Sequence, residues 1–90
     1  MANPQPFKEQ NLLLGAGGNP NTSDMPVSIA KDAEGIPFIV SNWKFTPEEL
    51  KLLNENNGSF FVCVMGTSTP PVMATAYNPF TMFGFEAVEL

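Results

Sequence analysis

The chain has 90 residues, a net charge of −5 and neither His nor Arg, which leaves room for one domain and no basic stripe to track a phosphate backbone. Its lysines, Lys8, Lys31, Lys44 and Lys51, are scattered, so long nucleic acid and anionic membrane surfaces are excluded as expected partners. The longest apolar run, Phe60 to Met65, falls far short of the roughly 20 residues of a membrane helix.

The N-terminal stretch MANPQPFKEQ lacks a basic segment followed by an apolar core and does not read as a secretory signal. A lone Cys63 cannot close an intrachain disulfide, which fits a cytosolic setting. Residues 1–24, rich in Pro, Gly and Asn, read as a flexible N-terminal arm, with Leu12 to Leu14 as the sole apolar cluster. Gly15 to Gly18 read as a hinge, because a phosphate loop needs a helix after it and NPNTSD follows.

Residues 25–90 read as a single α+β domain. Val27 and Ile29 alternate with Ser28 and Ala30, and IPFIV at Ile36 to Val40 resumes the apolar pattern after KDAEG. Two strands joined by a tight turn are expected, with Asp32 initiating the turn and Gly35 supplying a positive φ. Pro37 cannot donate to a ladder, so the second strand should begin there or lie at an edge.

NWKFTPEELKLLNENNG, Asn42 to Gly58, carries the clearest helix start. Thr46 stands at the cap, Pro47 at the first helical position and Glu49 where it completes a capping box. Phe45 and Leu50 occupy the positions of a hydrophobic staple, and Trp43 is placed to cover the helix start. NENNG should end the helix within about three turns, with Gly58 in the left-handed region.

Beyond it, SFFVCVM reads as a strand covered on both faces and placing Cys63 inside, TSTPP as a stiff loop, and VMATAY and FTMFGFEAV as two further strands separated by a turn at Asn78 and Pro79, with Gly84 a possible bulge. The expected fold class is therefore α+β: a small, mainly antiparallel sheet of four to five strands with one short helix.

The residue inventory argues against catalysis. General acid–base work near neutral pH usually draws on His, Cys63 has no His or Arg nearby in sequence to lower its pKa, and one Cys without His cannot assemble a zinc site. Asp32 with Glu34, and Glu48 with Glu49, lack the spacing of a calcium loop. No metal, cofactor or catalytic residue is expected. Trp43 beside Lys44 is the pair with most to offer a ligand, through stacking and charge, although packing over the helix start is the favoured reading of Trp43. A small ligand would be expected to meet Trp43, Lys44, the loop Thr67, Ser68, Thr69, Pro70 and Pro71, and Tyr77.

Taken in order, IPF, WKFTPEEL, GSFFVCVMG, PP and NPF resemble short uncharacterised accessory proteins of bacteriophages over about Ile36 to Phe80. The spacing departs in placing Val40, Ser41 and Asn42 between the Ile-Pro strand and Trp43. The resemblance implies a phage accessory protein with no assigned activity, and the acidic chain without catalytic residues then points to a non-enzymatic protein that binds and neutralises a host factor, such as a component of antiviral defence, in the cytoplasm of the infected cell. Two other functions fit the same chain: a sponge for a small signalling nucleotide, and a virion or capsid-surface component laced in by the N-terminal arm.

A homo-oligomer, most simply a dimer, is also expected, because residues 25–90 hold more large apolar side chains than a domain of that size can bury. Its interface is expected on the C-terminal run, where Phe83 and Phe85 would face one way and Met82 and Val88 the other. The alternative is that Leu12 to Leu14 cover that run within one chain.

Overall fold

The structure, a computed structural model, describes residues 2–15, 25–63, 66–67 and 71–90. Among them the fold is α+β, with antiparallel strands in an open arrangement and two short helices. The strands are β1 (Asn3–Gln5), β2 (Leu12–Leu14), β3 (Met25–Lys31), β4 (Pro37–Val40), β5 (Asn42–Lys44) and β6 (Glu86–Ala87). The helices are α1 (Pro47–Glu55) and α2 (Pro79–Met82).

The β3–β4 hairpin forms as the residues dictate. Asp32 Oδ1 accepts from the Glu34 and Ile36 amides, both at 2.9 Å, and Gly35 takes φ +85° where a side chain would be strained. Pro37 is the first residue of β4, opposite Lys31, at the edge of its sheet. β3 is the central strand. β4 lies along one side of it, while β2 pairs with Met25 to Val27 and β6 with Ala30 and Lys31 on the other. A second, two-stranded sheet joins β1 to β5.

Where β2 ends and β6 begins, Asn11 bridges the gap. In an antiparallel pair Ile29 and Val88 would exchange two backbone bonds. Val88 N–H donates to Ile29 C=O at 2.9 Å, but the return bond runs through the Asn11 carboxamide. Ile29 N–H donates to Asn11 Oδ1 at 2.8 Å, and Asn11 Nδ2 donates to Val88 C=O at 2.9 Å.

The core is small. Pro26, Val27, Ser28, Ala30 and Phe85 are buried, and Phe85 packs against Phe38 at 4.9 Å between ring centroids and against Phe80 at 6.3 Å. Phe38 stands opposite Ala30, whose small side chain leaves room on that face of the hairpin. Phe80 in turn meets Phe7 at 6.5 Å, which ties the N-terminal segment to the same cluster.

Several expectations are corrected. The segment expected to be an arm supplies β1 and β2, because its short extended pieces find partners in β5 and β3. The hinge read at Gly15 to Gly18 lies outside the described residues except for Gly15. Ser59 to Cys63 is not a strand, and Phe61 is 95% exposed. Strand propensity expresses fit to a paired, half-buried surface, and the described part of this segment has no neighbouring strand to supply one. Val64 and Met65 lie outside the described residues. Cys63 is accordingly exposed rather than buried.

Val72 to Tyr77 also forms no strand. Within FTMFGFEAV only Glu86 and Ala87 pair, because Asn78 caps a helical turn: its Oδ1 accepts from Phe80 N–H at 2.9 Å, and Pro79 takes the first helical position. Gly84, with φ +71°, turns the chain from α2 toward β6 rather than forming a bulge. Met82 therefore sits on a helical turn, and the expected alternation of Met82, Phe83, Phe85 and Val88 on two strand faces does not arise.

Candidate interaction surface

Asn42 to Gly58 forms a strand and a helix in succession. The capping box is complete: Glu49 N–H donates to Thr46 Oγ1 at 3.2 Å and Thr46 N–H donates to Glu49 Oε1 at 3.1 Å. The backbone bond from Thr46 holds the Glu49 carboxyl below its usual range, reinforced by the Thr46 hydroxyl and opposed by partial desolvation. At the other end Asn57, at φ 55°, takes the left-handed position and Gly58 N–H reaches Leu53 C=O at 2.7 Å, closing a Schellman motif. Phe45 meets Phe60 edge-on at 5.6 Å, so the residues flanking the helix touch each other.

The helix is well made and buries none of its residues. Leu50 and Leu52 are exposed, as are Phe60, Phe61 and Val62 after it. An amphipathic helix draws most of its stability from packing its apolar face. Leu50 and Leu52, two positions apart, leave opposite sides of α1, so each is exposed separately, and the exposed residues Phe60 to Val62 follow the helix.

The residues singled out for a small ligand are dispersed. Trp43 lies in β5 opposite Pro4, with Nε1 donating to Ser41 Oγ at 2.8 Å. Lys44 follows it in the same strand, so the two side chains leave opposite faces. An indole and an ammonium so placed do not converge on one ligand. Thr67 and Pro71 are exposed, whereas Ser68, Thr69 and Pro70 lie outside the described residues. Tyr77, 64% exposed, stacks edge-on with Phe83 at 6.4 Å, and no ring contact joins it to Trp43 among the described residues.

An open recess of about 330 Å³ lies between the Asp32 to Gly35 turn and the Gly84 to Glu86 segment. Lys31, Glu34 and Glu86 line it, and Asp32 is already committed to the turn amides. Among the described residues no three His, Cys, Asp or Glu side chains are grouped to hold a metal ion. No helix among them is long and apolar enough to cross a membrane.

Compared with protein-family models, curated proteins and solved structures, the chain matches none.

The surface that sequence reasoning missed is the open apolar one. Its signal was present in the order of the residues: Leu50, Leu52 and Leu53 on a helix too short to stand alone, followed after Asn54 to Ser59 by the apolar run Phe60 to Met65.

Proposed function

We propose that the chain is a non-enzymatic phage accessory protein that binds and neutralises a host factor in the infected cell's cytoplasm, with antiviral defence as the setting. One observation supports binding as its mode of action. Among the described residues Leu50, Leu52, Phe60, Phe61 and Val62 are large apolar side chains left exposed on α1 and on the segment after it. Exposed apolar and aromatic side chains gathered along one stretch of chain mark a contact surface for another molecule.

The nucleotide sponge is less well supported, because Trp43 and Lys44 leave opposite strand faces and the chain has no Arg for phosphate. The test is capture from host lysate on immobilised protein, run with wild type, Leu52→Asp and Phe61→Ser. One host protein retained in stoichiometric amount by wild type and lost from both variants is the expected result. Release of a nucleotide on denaturation would favour the sponge, and co-sedimentation with purified virions would favour a virion component.

A further inference from the structure

We infer that the free edge of β4 is the seam of a two-fold dimer, in which β4 pairs antiparallel with β4 of a second copy about Ile39. This stands independently of which host factor is bound.

Ile39 is opposite Ile29 in the ladder. Ile29 directs both its groups the other way: its C=O accepts from Val88 N–H and Asn11 Nδ2, both at 2.9 Å, and its N–H donates to Asn11 Oδ1 at 2.8 Å. Opposed residues in an antiparallel ladder exchange both bonds or neither. Ile39 N–H and C=O therefore point out of the sheet. The hairpin turn gives the same phase, since Asp32 N–H donates to Ile36 C=O at 3.0 Å, making the Ile29–Ile39 pair a non-bonded one.

β4 ends its strand order, and Ser41 N–H has no partner among the described residues. Ile39 is also 63% exposed, an unusual position for a large apolar side chain on an unpaired edge.

A second copy fits this edge. Antiparallel pairing about Ile39 exchanges two bonds between the Ile39 residues and adds Ser41 N–H to the second copy's Pro37 C=O, and the reverse. Pro37 has no N–H to be left stranded. The two Ile39 side chains come together, as opposed residues of one ladder do. The same axis lays both copies' Leu12, Leu14, Ile29, Ile39 and Val88 on one face, since residues opposed in a ladder share a face.

Light scattering after chromatography of the purified protein, at tens of micromolar, tests the seam. Wild type is expected at twice 9.8 kDa. Ile39→Pro removes an N–H that β3 does not use, so it should give the single-chain mass with an unchanged circular dichroism spectrum. Should that variant misfold, cross-linking decides: in a Cys63→Ser background, Ile39→Cys should oxidise to a covalent dimer at least tenfold faster than Leu52→Cys. Bonded antiparallel pairs hold Cα atoms about 5.5 Å apart, within disulfide reach. A wild type of single-chain mass, or Ile39→Cys reacting no faster than Leu52→Cys, overturns the proposal.

Discussion

Two residues of the sheet hold polar groups with opposite consequences. Asn11 substitutes for a stretch of backbone, its carboxamide accepting from Ile29 and donating to Val88. Asn11→Ala leaves those groups without it and should cost about 1–3 kcal/mol of stability. Asn11→Asp should cost more, because a carboxylate oxygen would then face the Ile29 and Val88 carbonyl oxygens. Denaturant midpoints of the three proteins check the order. Ser28 is the reverse case: its hydroxyl is fully buried and has no hydrogen-bond partner among the described residues. Removing an unsatisfied buried hydroxyl relieves its desolvation cost, so Ser28→Ala should raise the midpoint, by up to about 1 kcal/mol. A lower midpoint would mean that the hydroxyl has a partner in solution.

Among the elements, α1 is held by its ends rather than by a packed face. Thr46→Ala should therefore remove about 1 kcal/mol from the helix itself, seen as lower helix content and faster amide exchange across Pro47–Glu55, with little change in the sheet. The Glu49 carboxyl, held low chiefly by the Thr46 amide, gives the helix a pH dependence. A depressed folded pKa contributes stability above the unfolded value and loses it as pH falls through the folded one. Helix content should thus decline below the ordinary carboxylate range, from about pH 4 downward, and Glu49→Gln should flatten that decline. The β3–β4 turn behaves differently, because its acid serves two amides within the central hairpin. Asp32→Ala removes the acceptor that both amides share, and the expected loss of about 1–2 kcal/mol should appear in global unfolding.

Among the described residues the buried set is small, and Leu50, Leu52 and Phe60 to Val62 are exposed. Stability that depends on association follows mass action. The melting temperature should rise with protein concentration between about 1 and 100 micromolar, and a hydrophobic dye should bind the folded protein more strongly at the lower end. A melting temperature independent of concentration would show that a single chain is stable without a second copy. The Ile39 seam and the exposed Leu52 and Phe61 lie on different elements, so Ile39→Pro should change the mass and Leu52→Asp should not.

What the amino-acid order determined by itself was local. Thr46, Pro47 and Glu49 meet within one turn, and Asp32 and Gly35 within one hairpin loop, so α1 and the β3–β4 turn were legible from neighbours alone. The same logic at Asn78 and Pro79 was legible in principle, but the strand-like texture of the residues after it outweighed a short cap. Pairing was decided only by the tertiary structure. Leu12 to Leu14, between Gly-rich and Asn-rich flanks, became a strand because β3 offered it an edge, while the more strand-like Phe60 to Cys63 found none. Trp43 and Lys44 were adjacent in sequence and were separated by the pleat of β5. Apolar and β-branched residues state what a segment can do when another surface meets it. Which surface does so is a property of the assembled chain, and where that chain leaves Ile39, Leu52 and Phe61 open, it is a property of the partners.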